Sequence, residues 1–152
     1  MRAGIWFGFI LMLAVFAGCA PPEASRVTSQ EDYAVMFDGL ANVYDQGVYL
    51  DGAQIGQIQS TEVGVGNVTR MMIRLSPQAL QEMGTNTVFL VKMGRLEGLR
   101  LQGLGAEPLQ KGAPLCGFTS TADWTWFKVK TLLNDRIVAA QKRAQALQLR
   151  FG

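Results

Sequence analysis

The stretch of sequence that most constrains the fold runs from Gly47 to Ile58. Two short runs of β-branched, aliphatic and aromatic residues flank the dipeptide Asp51-Gly52. This arrangement predicts a β-hairpin, because a tight turn between twisted strands needs positive φ angles that glycine adopts at little cost. Gly56 falls inside the second strand, where a glycine usually marks a bulge, a sharp bend or a close backbone approach, as at the corner of a small barrel. An ordinary glycine-rich hairpin of any all-β domain is the alternative.

Strand signals continue after this hairpin. Residues 68–75 alternate between buried-type side chains and polar ones such as Arg70 and Arg74, which predicts a strand with one buried face. Ser76-Pro77 predicts the start of a short helix, and residues 87–91 are apolar enough for a central strand. Further strands are predicted at residues 33–38, 99–101 and 113–119. About seven short strands are typical of a small sandwich or barrel.

The spaced glycines resemble the opening signature of the MCE domain family. The matching residues are Gly47, Val48-Tyr49, Gly52, Ile55-Gly56 and Ile58, preceded by Phe37-Asp38-Gly39-Leu40. The similarity continues to about Phe118, and it implies that residues 33–119 form a seven-stranded β-barrel. In this family six barrels form a ring, and the loops between the fifth and sixth strands line a central pore through which lipid tails pass.

The resemblance also implies which residues meet the lipid. Gly94, Arg95, Leu96 and Leu99 occupy the position of the pore loop, in the segment from Met93 to Leu99. Leu96 is expected to face the pore, and the guanidinium of Arg95 is suited to a lipid phosphate. Arg95 and Glu97 depart from the apolar loop of the family. The alternative is an exposed β-turn with ordinary solvated charges.

Residues 1–18 have the features of a bacterial lipoprotein signal peptide that is cleaved from the mature chain. The apolar stretch from Ile5 to Ala17 is shorter than the roughly 20 residues of a membrane-spanning helix. The sequence Phe16-Ala17-Gly18-Cys19 resembles the lipobox, which implies that lipid is attached to Cys19. Ordinary cleavage and an uncleaved anchor are the alternatives. Residues 19–32 are then a lipidated tether that holds the protein outside the cytoplasm. The MCE resemblance implies that it faces the periplasm in the envelope of a diderm bacterium, on either membrane.

From residue 120 to Phe151 the chain contains neither proline nor glycine, which predicts one C-terminal amphipathic helix over residues 120–152. Apolar residues at spacings of four and three form a heptad seam: Leu133, Ile137, Ala140, Ala144, Leu147 and Phe151. This seam is expected to join subunits, as the resemblance also implies. A helix packed across its own barrel and a basic helix on anionic lipid are the alternatives. Trp124 and Trp126 suit a membrane interface or a packing cluster.

Composition excludes several classes of function. The sequence contains no histidine, which removes the Ser-His, Cys-His and His-ligated zinc sites. Its two cysteines are Cys19 and Cys116, and Cys116 is expected to be a buried small apolar residue. A net charge of +2 with 17% charged residues leaves no nucleic-acid footprint. No catalytic residue, metal site or cofactor is therefore predicted.

Together, these features predict a membrane-anchored lipid-binding subunit that is not an enzyme. The resemblance implies phospholipid or another apolar lipid as the cargo, an ABC permease and ATPase as partners, and a homo- or hetero-hexamer as the assembly. The alternative is a scaffold lipoprotein that organises a cell-envelope complex and binds no lipid.

Overall fold

The computed structural model describes residues 31–102, 106–131 and 135–152. The predicted signal peptide, the lipidation site Cys19, residues 20–30 of the tether and Leu133 of the seam lie outside the described residues. In the part of the chain that is described, no helix is long and apolar enough to cross a membrane.

Seven strands close into a barrel, as the resemblance implies. They are β1 (Glu31–Asp38), β2 (Gly47–Leu50), β3 (Ala53–Val63), β4 (Val68–Leu75), β5 (Thr87–Lys92), β6 (Arg95–Arg100) and β7 (Leu115–Phe118). The helices are α1 (Pro77–Glu82), α2 (Thr121–Lys130) and α3 (Arg136–Phe151), and a short 3₁₀ turn spans Val65–Asn67. The strand order is β1-β4-β3-β2-β6-β5-β7, and β7 pairs in parallel with β1 to complete the circle. Every strand therefore has two neighbours, and no sheet edge stays open.

The interior of the barrel is filled with apolar side chains. Phe37 of β1, Met71 and Ile73 of β4 and Phe89 of β5 are fully buried there. In β4 the burial alternates along the strand as predicted, because its other face meets solvent or charged neighbours. A barrel of about eight strands or fewer has an interior that side chains alone can fill. The interior of a single barrel is therefore a packed core and has no room for a ligand.

The β2–β3 hairpin forms the corner that its glycines predict. Asp51 and Gly52 both have positive φ angles, 51° and 83°, and make the turn. Gly56 pairs with Val48 next to a shift in strand register, and a β-carbon on Gly56 would overlap the carbonyl oxygen of Arg74. The predicted bulge and close backbone approach are confirmed.

Gly56→Ala is expected to lower the free energy of unfolding by about 1–3 kcal/mol, because the added methyl group meets backbone that cannot rotate away. Urea unfolding followed by circular dichroism measures the effect. Gly52→Asn is the control: nothing lies within 4 Å of a β-carbon there, and asparagine tolerates positive φ. Unchanged stability of Gly56→Ala would contradict the close approach.

The strand β6 begins earlier than the sequence predicts. Met93 and Gly94 have positive φ angles of 50° and 76° and form a tight turn. Arg95 therefore pairs directly with Lys92, and β6 starts there. The predicted loop over residues 93–99 is wrong, since only its first two residues form a turn.

The two ends of the barrel carry different connections. One end, called the upper rim below, holds residues 39–46, 64–67 and 93–94, because β1, β3 and β5 finish there. The opposite end, called the lower end, holds the start of β1 at Glu31 and the turn at residues 51–52. The N-terminal part of the chain therefore enters at the lower end.

The C-terminal segment forms two helices where one was predicted. The guanidinium of Arg136, the first residue of α3, donates hydrogen bonds of 2.9 Å and 3.2 Å to the carbonyl oxygens of Lys128 and Thr131. α2 starts near the upper rim, directly after β7, and α3 ends there with Phe151 against Gly64. The two helices therefore run antiparallel along the outside of the barrel and meet at the lower end.

Candidate functional site

The described part of the heptad seam, from Ile137 onward, lies against the barrel of its own chain. Ile137, Ala140 and Ala144 are buried with residues of β5 and β7, and Leu147 is buried against β1 and β4. None of these four residues has more than 6% of its surface exposed. A side chain buried in this way has no surface left for a neighbouring subunit. The expected oligomer contact through the seam is therefore corrected: α3 packs across its own barrel.

Cys116 is the buried apolar residue that the sequence predicts. It is a free thiol with 3% of its surface exposed, and it packs with Phe118 and Ile137. Burial raises the pKa of the Cys116 thiol to about 12. The thiol therefore stays protonated at neutral pH, which suits packing and not nucleophilic chemistry.

The buried thiol predicts a loss of stability at alkaline pH. In the unfolded chain the pKa of Cys116 has its ordinary value of 9.0, whereas in the folded chain it is about 12. Between these values the unfolded state has released a proton that the folded state keeps, so the free energy of unfolding falls by up to about 1.4 kcal/mol per pH unit. Urea unfolding across this range should show a shallower loss in Cys116→Ala than in the wild type. Equal slopes in the two proteins would contradict the prediction.

The β5–β6 turn carries a highly exposed apolar side chain at the upper rim. Met93 is 94% exposed. The carbonyl oxygen of Gly94 accepts hydrogen bonds from the backbone N–H groups of Tyr44, at 2.8 Å, and Asp45, at 3.2 Å. The ring of Tyr44 lies against Gly94 and is 85% exposed. Met93 and Tyr44 therefore lie on two connections that Gly94 joins, and these two exposed residues are called the apolar tip below.

Arg95 is held by a network at the base of the apolar tip. Its Nε donates a hydrogen bond of 3.0 Å to Asp45, and its guanidinium lies over the ring of Tyr49, 4.3 Å from the centroid. The Tyr49 hydroxyl also donates to Asp45, at 2.9 Å, as does the backbone N–H of Gly47, at 2.8 Å. The N–H of Gly47, with Arg95 and Tyr49, lowers the pKa of the Asp45 carboxyl. Asp45 thus stays charged at neutral pH and fixes the turn of the upper rim.

The structure separates the four residues of the predicted pore loop. Gly94 and Arg95 lie at the upper rim. Leu96 is 0% exposed inside the barrel, and Leu99 packs on the opposite face of β6 against the helix-side cluster. The expectation that Leu96 faces a pore is therefore corrected, because it alternates inward on a strand.

Met93 is the residue that the sequence reasoning missed. It stands directly before Gly94 and after the apolar run of β5, and a residue–glycine pair between two strands is a hairpin signal. The outermost side chain of such a turn belongs to the residue before the glycine. The signal that predicts the turn at Asp51-Gly52 is thus also present at Met93-Gly94, and it is the signal that identifies Met93.

More exposed apolar side chains lie at this end of the barrel. Four of the nine large apolar residues most exposed in the described chain belong to the upper rim, namely Leu40, Tyr44, Val65 and Met93, and a fifth, Val63, ends β3 directly below it. A concentration of exposed apolar surface marks a contact with lipid or protein. The upper rim is therefore the candidate functional site.

Within the described ranges, no group of three or more His, Cys, Asp or Glu side chains is placed to hold a metal ion. The acidic residues of the upper rim pair with cations instead, as in Asp38 with Arg150 at 3.4 Å and Asp45 with Arg95 at 3.0 Å. The rim thus offers apolar contact and paired charge. That the protein is not an enzyme stays a prediction.

Comparison with known proteins finds likeness in structure but no match in sequence. No family model matches the sequence, and no curated protein is similar to it in sequence. Among solved structures, the chain is similar to a chain of the Acinetobacter MlaFEDB complex in its ATP-bound Vtrans1 conformation, with a TM-score of 0.49 and 12% sequence identity. The alignment covers 69% of this chain and 82% of that one.

Proposed function

We propose that this chain is a membrane-tethered lipid-transfer subunit of the MCE type. It would work with an ABC permease and ATPase in the periplasm-facing envelope of a diderm bacterium. The observation that carries the proposal is the apolar tip, Met93 beside Tyr44, presented at one end of a closed seven-stranded barrel. The glycine-spaced motif that resembles the family supports it, because Gly56 of that motif builds the barrel corner.

The filled interior excludes a lipid path through a single barrel. Because Phe37, Met71 and Phe89 occupy the barrel, an acyl chain has no room inside one subunit. Each methylene group exposed to water costs about 0.8 kcal/mol, so the acyl chain must be covered by other apolar surface. Apolar tips from several copies, gathered around an axis, would provide that cover. A ring of subunits is therefore part of the proposal, with six copies by resemblance.

The contacts between copies would come from the uncovered side of the barrel. α2 and α3 pack mainly on β1, β4, β5 and β7, and on β6 they reach Leu99, so these two helices cover least of the outer faces of β2, β3 and the start of β6. These neighbouring strands form one continuous face. The ring would use this face, since the seam of α3 is already occupied by its own barrel.

Lipidation of Cys19 would hold the subunit at a membrane. Several acyl chains give durable attachment, whereas a single chain binds only marginally. β1 starts at the lower end, so a tether from Cys19 would join the domain at the end opposite to the apolar tip. The apolar tip would thus point away from the membrane that carries the anchor, toward a partner across the periplasm.

A second candidate function is a scaffold lipoprotein that organises an envelope complex without carrying lipid. The observation that favours it is the folded-back position of α3, which packs along the barrel and does not project beyond it as a helical tube. In that case the upper rim would be a protein-docking surface.

One experiment distinguishes the two functions. The mature protein is purified with its anchor, its assembly mass is measured by native mass spectrometry, and lipid is extracted from the same sample. A ring of several subunits that holds phospholipid beyond its covalent anchor is the expected result. A monomer without extractable lipid would refute lipid transfer by a self-assembled ring and leave the scaffold.

A further inference from the structure

The positive charge of the protein is concentrated in its C-terminal helices. Residues 121–152 contain six Lys and Arg against two Asp, a net charge of +4. Residues 31–120 contain six Lys and Arg against nine Asp and Glu, a net charge of −3. The charge of the protein is therefore unevenly distributed: the helical segment is basic and the barrel is acidic. Such an asymmetry favours an anionic partner on the helical side.

α2 exposes apolar and basic side chains together. Trp126 is 59% exposed, and Val129, one helical turn further, is 73% exposed. The ammonium of Lys130 lies 4.4 Å from the centroid of the Trp126 ring, and that of Lys128 lies 5.1 Å from the centroid of the Trp124 ring. Trp126, Val129 and Lys130 share one side of α2, and Lys128 lies on the flank beside Val129, about 100° further around the helix. These four residues are called the α2 face below. Tryptophan with lysine is the side-chain pair found where a protein meets the headgroup region of a bilayer.

The lysines of the α2 face are available to an outside partner. In the described chain neither Lys128 nor Lys130 takes part in an ion pair, whereas Asp123, the acidic residue of α2, is paired with Arg143 at 3.0 Å. Asp135 lies at the start of α3, beside Arg136. A cleft of about 220 Å³ next to Trp124 is lined by Lys128 together with Arg100 and Arg136. The two arginines are already engaged, Arg136 by backbone carbonyl oxygens and Arg100 by Asp51 at 3.1 Å and Glu82 at 3.7 Å.

The position of the α2 face brings it to the membrane that the anchor occupies. α2 runs down to the lower end, where Arg136 joins it to α3. β1 starts at the same end with Glu31. Residues 19–30 span at most about 40 Å when fully extended, so a lipidated Cys19 would keep this end close to the bilayer.

We infer that the α2 face docks on the surface of an anionic bilayer, with Trp126 and Val129 in the headgroup region and Lys128 and Lys130 on lipid phosphates. This inference rests on the proposed anchor at Cys19, which supplies a high local concentration of membrane. The tether alone would leave the orientation of the barrel free, and docking of the α2 face would fix it. The upper rim would then face a defined direction, as a transfer subunit needs.

The chain carries its own reporter for this contact. Its three tryptophans are Trp6, in the predicted signal peptide, and Trp124 and Trp126. The variant Trp124→Phe therefore leaves Trp126 as the single tryptophan of the mature protein. This protein, with its anchor, is reconstituted into vesicles with brominated acyl chains, made of phosphatidylcholine with or without phosphatidylglycerol. Emission wavelength and bromine quenching then report how deeply Trp126 sits.

The expected result is a blue shift and stronger quenching of Trp126 in the phosphatidylglycerol vesicles, both reversed by high salt. Each lysine near an anionic surface contributes about 1 kcal/mol, so Lys128→Gln with Lys130→Gln should lower the ratio of docked to undocked protein about thirtyfold. The control is Lys92→Gln with Arg150→Gln, which removes the same charge at the upper rim, away from the lower end. Thermal unfolding verifies that both double variants are folded. For each variant, the Trp126 signal on vesicles with phosphatidylglycerol is compared with its signal on vesicles of phosphatidylcholine alone.

Several outcomes would overturn the inference. Equal quenching on the two vesicle types, or an equal effect of the two double variants, would show that the α2 face does not bind anionic lipid. A blue shift that grows with protein concentration in the absence of vesicles would assign the face to a second copy of the chain. Flotation with phosphatidylcholine vesicles tests the anchor separately. If the protein does not float, anionic vesicles are added to it, and unchanged Trp126 emission refutes docking as well.

Discussion

Met93→Asp is expected to reduce the lipid extracted with the assembled protein by more than tenfold. The methionine side chain is 94% exposed at the upper rim, where the proposed ring would gather it around the path of the acyl chains. A carboxylate in that path must lose water without a partner, which costs several kcal/mol, and about 1.4 kcal/mol already corresponds to a tenfold change in binding. Mass spectrometry of extracted lipid, normalised to protein, measures the loss.

The same substitution should leave the fold intact. Met93 has a φ of 50°, and aspartate tolerates this conformation better than methionine does. Because the side chain makes little contact with the core, the free energy of unfolding should change by less than about 0.5 kcal/mol. Val138→Asp, on the outer side of α3, is the matched control and should retain the lipid. If the Met93→Asp protein retained its full lipid content, the lipid path would not pass the apolar tip.

Local patterns in the sequence predicted much of the barrel. The turn at Asp51-Gly52, the bulge at Gly56 and the cap at Ser76 depend on the conformations of a few adjacent residues. Such features are decided within a short segment, so the residues there are sufficient to predict them. The alternation in β4 also predicts which of its side chains point to the core, because one face of a strand must be buried.

The candidate site was predicted less well, because its position depends on strand register. Whether residues 93–99 form a loop or a hairpin changes the side to which every later side chain points. The resemblance favoured a loop, and Leu96 was therefore assigned to a pore. The positive φ angles of Met93 and Gly94 make the turn two residues long, which places Leu96 inside the barrel and Met93 at the tip.

The C-terminal segment shows a second kind of limit. The spacing of Ile137, Ala140, Ala144 and Leu147 correctly predicted one apolar face of a helix. Periodicity does not say which surface covers that face, and here the barrel of the same chain does so. The end of α2 near Thr131 has no glycine or proline to signal it. It is explained by packing, because Phe127 of α2 and Ile137 of α3 reach the same cluster only if the helices run antiparallel.

Leu96→Ala is expected to lower the free energy of unfolding by about 2–5 kcal/mol. Leu96 is 0% exposed, pairs with Val48 across the β2–β6 contact and belongs to the interior cluster of the barrel. Removing its side chain leaves a cavity that the closed barrel cannot collapse to fill. Since a domain of this kind is stable by about 5–15 kcal/mol, the loss is a large fraction of the total. Urea unfolding of the wild type and the variant measures it.

Met93→Ala is the matched variant, three residues away on the same hairpin, and its expected change in stability is less than about 0.5 kcal/mol. The pair distinguishes the two interpretations of residues 93–99. If the segment were a loop that lines a pore, Leu96→Ala would affect lipid binding and leave stability unchanged. If the segment is a hairpin with a two-residue turn, stability depends on Leu96 and lipid contact depends on Met93. A Leu96→Ala protein that is stable but has lost its lipid would contradict the register of β6 and support the interpretation of residues 93–99 as a pore-lining loop.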